Sequence, residues 1–261
     1  MNKIIILIFL SIFSYAKTFE ATYKISYGIF GELGLAKTSL EILPNNTYKI
    51  KVHAYATGIA KFLSSNKEEF YESQGVIKNN LLIPNKYITI TNNDYKKRKK
   101  TYLFDYKKEQ ILVEKYEKKV NIKYDENLKK KESWETSESK EFTNFFATND
   151  LLSLFFNITK VVPSFEQGNS YAFKAIGANK DNGKLDIIIP KNKAYKELQE
   201  TLNTKNKKFI VAIHQKIFSS SNGELFISLN KEGFCDKAVL KDVLIFGDIK
   251  GEMIKFKINK G

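Results

Sequence analysis

Two histidines and one cysteine are the side chains of this chain best suited to catalysis or to binding a transition metal. His53 and His214 each fall in a strand-like segment, on its polar side, and no cysteine accompanies them. Cys235 precedes Asp236, and a negative neighbour raises a thiol pKa, so that less of the reactive thiolate is present. Zinc sites need several such ligands together. We therefore expect surface or half-buried histidines, a structural thiol and no metal site.

Sequence motifs of the common catalytic and cofactor sites are missing from the chain. It has no G-x-S-x-G, no G-x-G-x-x-G and no G-x-x-x-x-G-K-[ST]. These patterns hold the nucleophile of many hydrolases and the phosphates of nucleotide cofactors. We expect no cofactor and a protein that is not an enzyme. A site built only of carboxylates and tyrosines is the third hypothesis, because it would leave no motif.

The densest group of cations is the run Lys96, Lys97, Arg98, Lys99 and Lys100. It lies between two strand-like segments, which predicts a basic hairpin tip. Such a tip can bind an anionic surface, because each cation near a charged membrane contributes about 1 kcal/mol. The alternative is a solvated hairpin whose charges only prevent the strands of different molecules from pairing.

Residues 1–16 have the pattern of a secretory signal peptide, in which Lys3 precedes an apolar run over residues 4–13 and small residues lead to Ala16. The run is shorter than the roughly 20 residues that span a membrane, so we predict cleavage after Ala16 rather than a retained anchor. The formal net charge of +14 then predicts contact with anionic envelope surfaces and not with nucleic acid. We predict a periplasmic protein that is soluble after cleavage.

The segment at residues 148–162, TNDLLSLFFNITKVV, has the composition of a strongly apolar helix. On a period of 3.6 residues its polar side chains Ser153, Asn157 and Lys160 form one narrow stripe, and apolar side chains cover the rest of the circumference. We expect the helix to be surrounded on most sides. The polar stripe is expected to face solvent or the mouth of a cavity.

Most of the remaining chain alternates apolar and polar residues in short runs, as strands of a sheet with one buried face do. Asn79-Asn80 predicts a two-residue hairpin. Residues 125–141 are charged, which predicts an exposed loop or a solvated helix, whereas residues 193–202 leave helix and strand equally open. No linker divides residues 17–261, so we predict a single domain with a charged insertion near 125–141. The fold class is mainly β: an antiparallel, strongly curved sheet, open barrel or two packed sheets around one central apolar helix.

Four local patterns, in their order along the chain, resemble the exported bacterial family called Domain of Unknown Function 3108. They are residues 23–28 with Gly31 and Gly34, residues 82–84 with the strands that end at Phe104-Asp105, residues 150–154 and residues 225–229. The resemblance covers most of the chain after the signal peptide and implies export and an antiparallel β architecture, but no established activity. More distantly, the chain is similar to the open β-barrels that carry lipoproteins across the periplasm. A likeness of fold does not transfer function.

Two function hypotheses of different class follow. The first is a non-enzymatic binder of an apolar or amphipathic, lipid-like ligand in a cavity of the sheet, against the helix at 148–162, and its candidate ligand-binding residues are Phe146, Leu152, Phe155 and Phe156. The 20 phenylalanines and 14 tyrosines motivate it, and a packed core without a cavity is its alternative. The second is an envelope protein that docks on a protein partner or an anionic polymer through Lys96 to Lys100. The sequence carries no signal for oligomeric state.

Overall fold

Antiparallel strands make up most of the structure, as the alternating pattern predicts. The computed structural model describes residues 16–28, 31–124, 130–213, 224–241, 243 and 247–260; the predicted signal peptide, except Ala16, and His214 lie outside them. The strands are β1 (Lys17–Tyr27), β2 (Gly31–Ile42), β3 (Thr47–Ala56), β4 (Glu68–Lys78), β5 (Leu81–Asn93), β6 (Lys96–Asp105), β7 (Gln110–Tyr124), β8 (Lys130–Phe142), β9 (Ser170–Lys174), β10 (Lys184–Ile188), β11 (Lys207–Ala212), β12 (Glu224–Leu229), β13 (Cys235–Leu240) and β14 (Ile249–Lys260). The helices are α1 (Gly58–Leu63), α2 (Leu151–Val161) and α3 (Asn192–Leu202).

The described strands form one sheet of 14 strands in the order β8-β7-β6-β5-β4-β3-β2-β1-β14-β13-β12-β11-β10-β9. Each half of the chain runs back and forth between neighbouring strands, and the two halves meet where the first strand pairs with the last. The sheet does not close into a barrel, which is the open antiparallel architecture predicted from the sequence.

The central helix is confirmed as α2, and it packs against both halves of the sheet. Its Leu154 and Ile158 belong to a buried cluster with side chains of β10, β11 and β12. Its Phe156 belongs to a second cluster with Tyr48, Leu82 and other side chains of the first five strands. Within the described ranges, no helix is long and apolar enough to cross a membrane.

Two local questions left by the sequence are answered by the fold. Residues 193–202 lie in helix α3. Leu198 and Leu202, which are four residues apart and so on one face of this helix, are both fully buried against β11, β12 and β13. The hairpin predicted at Asn79-Asn80 joins β4 to β5, and both residues have positive φ, of 50° and 63°. That conformation matches the twist of a hairpin, and asparagine tolerates it better than most residues.

The expectation of a loop or solvated helix at residues 125–141 is wrong for the part that the structure describes. Residues 130–142 form β8, which pairs with β7 along its whole length. It consists almost entirely of charged and polar residues, and its large apolar residues, Trp134 and Phe142, are exposed, so no hydrophobic period marks it as a strand. Ion pairs across the two strands compensate, as between Lys140 and Glu114 at 2.6 Å.

The basic run is also placed differently from the prediction. Lys96 to Lys100 do not form a hairpin tip but the first half of strand β6, and the turn before them is at Asp94 and Tyr95. Because side chains alternate along a strand, this run divides between the two faces of the sheet. It is therefore not one continuous basic surface.

Candidate functional site

Asp150 fixes the start of α2 against the sheet. Its carboxylate accepts hydrogen bonds from the backbone N–H groups of Leu152, at 2.8 Å, and Ser153, at 2.9 Å. The Ser153 hydroxyl accepts in return from the Asp150 N–H at 3.0 Å, which completes a capping box. Ser73 of β4 donates its hydroxyl proton to the other carboxylate oxygen at 2.6 Å, and its oxygen lies 3.0 Å from the Tyr48 hydroxyl.

The hydrogen-bond network around Asp150 is buried, and this burial shifts the ionisation of the Asp150 carboxyl. Asp150, Ser153 and Ser73 have no exposed surface. Burial raises the pKa of the Asp150 carboxyl from 3.8 to about 6, although the hydrogen bonds from Ser73, Ser153 and Leu152 act in the opposite direction. Burial also raises the pKa of Tyr48 above its usual value, so its hydroxyl stays protonated.

Asn157 joins the middle of α2 to the start of β5. The prediction that the polar stripe of this helix faces solvent or a cavity mouth is therefore wrong for Asn157. Its side-chain amide accepts from the Leu82 N–H and donates to the Leu82 carbonyl, both at 2.9 Å. These are the two bonds that a neighbouring strand would make. Asn157 and Ser153 are therefore buried and hydrogen bonded, and only Lys160 of the predicted stripe is exposed, where it donates to the Asn80 carbonyl.

A cleft of about 1310 Å³ lies between the sheet and the start of α2. Its walls come from strands β3 to β8, from the segment after β8 and from the loop after β9. Apolar and aromatic lining residues include Tyr71, Tyr87, Tyr102, Val113, Leu152 and Ile176. Burial raises the pKa of the three tyrosines, so their hydroxyls stay uncharged at neutral pH.

Cations predominate among the charged residues that line this cleft. They are Arg98, Lys99, Lys100, Lys115 and Lys180, against the carboxylates of Glu117, Glu138 and Glu141. Two of these carboxylates are already engaged, since Glu117 pairs with Lys96 and Arg98, and Glu141 pairs with Lys115. The pairing holds the pKa of Glu117 near 2, well below its usual 4.5.

Lys100 makes no ion pair within the described part of the chain, although it lines the cleft. Burial, and then the positive charges of Lys115 and Arg98, lower the pKa of its amine, and the negative charge of Glu141 opposes them with a smaller effect. An anion bound beside these three cations would relieve their mutual repulsion. The cleft thus combines apolar walls with an unneutralised positive charge.

The structure brings some of the sequence-predicted site residues to the cleft and places others in the core. Leu152, Arg98, Lys99 and Lys100 line it. Phe156 lies 4.8 Å, centroid to centroid, from the buried ring of Phe234.

The remaining predicted residues make other contacts. Phe155 packs edge-on against Phe156, and Phe146 packs edge-on against Tyr106. Lys96 and Lys97 belong to the same strand as Arg98. Whether any of the predicted residues binds a ligand or an anionic surface stays a prediction.

Sequence reasoning missed the tyrosines of the cleft. Tyr102 follows Lys100 and Arg98 at intervals of two residues, so all three lie on one face of β6. That alternation was visible in the sequence. The contribution of Tyr87 and Ile176 was not, because it depends on how distant segments pack.

The remaining reactive side chains in the described part of the chain do not come together as a catalytic site. Within the described ranges, no group of three His, Cys, Asp or Glu residues is placed to hold a metal ion. Burial, and then Asp236, raise the pKa of the Cys235 thiol to about 12. The His53 ring stacks on Phe70 at 4.1 Å, and its Nε2 lies 3.6 Å from Glu68. That the protein is not an enzyme stays a prediction.

These features define a class of protein: an open antiparallel sheet that folds around one apolar helix and leaves a partly cationic cleft between them. The chain belongs to the DUF3108 family, whose model is described as a protein of unknown function and matches residues 22–227. The family resemblance found in the sequence is confirmed. The segment at residues 150–154, one of the patterns on which the resemblance was based, contains the capping box and so has a physical role in the fold.

One solved structure with a comparable fold is the crystal structure of a beta-barrel-like protein of domain of unknown function DUF1849 from Brucella abortus. The match covers 93% of this chain and 98% of that chain, with 10% sequence identity and a TM-score of 0.40. No curated protein sequence matches the chain.

Proposed function

We propose that the protein binds an amphipathic ligand, with an apolar chain and an anionic head group, in the cleft between the sheet and α2. The proposal rests on one observation. The cleft has aromatic and aliphatic walls and also contains Lys100, a cation that lacks an ion-pair partner within the described residues. An apolar chain would contact Tyr71, Tyr102 and Leu152, which line the cleft and are only partly buried. Its head group would lie beside Lys100 and Lys115.

The size of the cleft supports a lipid-like ligand. Ligand pockets commonly measure about 300–1000 Å³. The volume of about 1310 Å³ exceeds this range, and two long acyl chains need more room than most metabolites. Among the tyrosines of the cleft, the Tyr71 hydroxyl already donates to Glu69, and Tyr87 is fully buried. The Tyr102 hydroxyl stays protonated and adds a hydrogen-bond donor without negative charge, which favours an anionic or carbonyl-bearing head.

Export to the periplasm is part of the proposal, since it would bring the cleft to envelope lipids. Cleavage after Ala16 would leave Lys17, the first residue of β1, as the new N-terminus. The strand would stay complete. Sequencing the N-terminus of the protein recovered from a periplasmic fraction tests this part, and retention of residues 1–16 would contradict it.

Binding of a fluorescent fatty-acid analogue to delipidated protein tests the ligand. We compare Lys100→Glu with Lys97→Glu, which makes the same charge change on the same strand at a residue that does not line the cleft. Lys100→Glu is expected to weaken binding by about tenfold, because a repulsive charge replaces an attractive one. Lys97→Glu is expected to leave it unchanged.

A fatty alcohol with the same chain serves as the uncharged competitor. It should displace the probe less well than the acid, and Lys100→Glu should reduce that difference. A folded protein that binds neither compound, or that loses equal affinity in both variants, would contradict the proposal. Mass spectrometry of an organic extract of the purified protein then identifies the natural ligand class.

Docking on an anionic envelope polymer through Lys96 to Lys100 remains the alternative. Lys97 is exposed and makes no ion pair among the described residues, whereas Lys96 is engaged by Glu117 at 2.8 Å. Retention of the Lys97→Glu variant on cell-wall material therefore distinguishes the two functions. A loss of retention with unchanged probe binding would favour docking.

A further inference from the structure

Helix α1 presents an apolar face that contributes nothing to the core. Ile59, Phe62 and Leu63 are 79%, 84% and 76% exposed, and none of the six residues of α1 is buried. Their spacing of three and four places them on one face of the helix. Single exposed apolar residues are ordinary on protein surfaces, but three large ones side by side indicate a binding surface.

The helix is fixed in this position by its flanking residues. The Thr57 N–H donates to the Leu33 carbonyl at 2.9 Å, and its hydroxyl donates to Glu32 at 3.0 Å. After the helix, the Asn66 side chain donates to Asp94 at 2.6 Å, and the Asp94 N–H donates to the Ser65 carbonyl at 3.0 Å. These bonds tie α1 to the turns of two neighbouring hairpins, so its apolar face is held outward.

Charge and shape indicate what this face would contact. The first turn of α1 has no acidic residue, and Lys61 lies exposed between Ile59 and Phe62. Glu32 and Asp94 beside the helix keep their negative charges, because their hydrogen-bond donors, Thr57 and Asn66, are neutral. The positive charge that attracts an anionic partner therefore comes from Lys61 and from the rest of the chain. The chain as a whole carries a formal net charge of +14. Electrostatic attraction therefore favours an anionic partner.

We propose that α1 is a membrane-docking element, which inserts Ile59, Phe62 and Leu63 into the interfacial layer of a bilayer that contains anionic phospholipids. A short helix with an apolar face and a lysine that reaches back to the head groups has the chemistry of such insertion. Tyr95, which is 49% exposed and follows Asp94, would lie at the head-group level. Docking does not require a ligand in the cleft.

Docking through α1 would also place the cleft near the membrane. Asp94, which is bonded to the residues after α1, lies in the turn between β5 and β6, and Thr91 and Arg98 on either side of this turn line the cleft. This consequence rests on the proposed function. The docking itself is tested without reference to the cleft.

Sedimentation with vesicles of phosphatidylglycerol and phosphatidylethanolamine tests the proposal on the full mature chain. The double variant Phe62→Ser with Leu63→Ser is expected to bind at least about tenfold more weakly than the natural sequence, because two apolar side chains are lost from the bilayer. The matched control is Ile254→Ser with Ile258→Ser. It removes two apolar residues that are 56% and 42% exposed on β14. The control should bind as the natural protein does.

Two further measurements separate insertion from other causes. In a Trp134→Phe background, a tryptophan introduced by Phe62→Trp should shift its emission to shorter wavelength when vesicles are added. Lys61→Glu should weaken binding to anionic vesicles and leave the weaker binding to phosphatidylcholine vesicles unchanged.

Three results would overturn the proposal. In the first, the folded natural protein does not bind the vesicles. In the second, the α1 double variant binds as well as the control does. In the third, the natural protein does not bind vesicles but forms dimers in solution, and the α1 double variant abolishes these dimers. That result would assign the apolar face to a second copy of the chain.

Discussion

At Asp150, one buried carboxylate joins the first turn of α2 to strand β4 without any ion pair among the described residues. Two effects oppose each other there. The backbone N–H groups and the partial positive charge of a helix N-terminus favour the ionised form. Removal from water favours the neutral form, and it is the larger effect, because the pKa rises to about 6. The side chain that organises the fold is therefore also sensitive to pH near neutrality.

Replacing Asp150 by asparagine should flatten the pH dependence of stability. The folded pKa of about 6 lies above the value of 3.8 that applies to the unfolded chain, so the folded state binds the proton more tightly. Asp150 therefore stabilises the fold more at low pH, and this contribution decreases as pH rises through the folded pKa. Urea unfolding at about pH 5 and about pH 8 should show a contribution of about 1–2 kcal/mol that Asp150→Asn removes.

Asp150→Ala provides the contrast. Asparagine can still cap the helix, whereas alanine cannot, so Asp150→Ala should have an unfolding free energy about 1–2 kcal/mol lower than that of Asp150→Asn at both pH values. An Asp150→Asn variant that keeps the full pH dependence would show that other groups cause it.

At the scale of single elements, α2 shows both what the sequence could predict and what it could not. Its apolar composition required burial on most sides, and the structure confirms this. Its polar residues were misread, because Asn157 faces the end of β5 rather than solvent. A polar residue on a helix is equally compatible with water and with an unpaired strand edge. Only the tertiary arrangement decides between them.

Strand β8 was missed for a related reason. Its pairing depends on opposite charges on β7, such as Lys140 with Glu114, and a single segment does not reveal its partner. The hairpin at Asn79-Asn80 was predictable because its conformational requirement is local. The cleft was not, since its lining residues come from segments as far apart as Tyr71 and Ile176.

Asn157→Leu should destabilise the protein by about 2–4 kcal/mol, although leucine fits an apolar helix. The substitution leaves the buried N–H and carbonyl of Leu82 without partners, and each unsatisfied group costs about 1–3 kcal/mol. The matched substitution Lys160→Leu removes one exposed hydrogen bond to Asn80 and should cost less than about 1 kcal/mol. Urea unfolding of both variants measures the difference, and equal losses would contradict the assigned role of Asn157.

At the scale of the whole molecule, the sheet consists of two sets of consecutive strands that meet between β1 and β14. The outer strands of these sets, β8 and β9, are connected through the segment that contains α2. This segment leads from one outer strand to the other, and α2 packs on both sets of strands, so its clusters contain residues from both halves of the chain. The described ends of the chain lie side by side, since Lys17 pairs with Lys260.

This arrangement predicts that the chain tolerates circular permutation. A glycine-rich linker of about four residues can join Lys260 to Lys17, because paired antiparallel strands need only a short turn. New termini between Lys108 and Glu109 would open the exposed turn between β6 and β7 and leave the bonds from Lys107 and Lys108 to Asp105 intact. The permuted chain should unfold cooperatively, with a free energy within about 2 kcal/mol of the natural value.

The control uses the same linker with new termini between Ile88 and Thr89, inside β5. Ile88 pairs with Glu72 on one side and Thr101 on the other, so this opening interrupts two ladders of hydrogen bonds and should prevent cooperative unfolding. Circular dichroism during urea titration distinguishes the two chains. If both permuted chains failed to fold, the prediction that the chain tolerates circular permutation would be wrong.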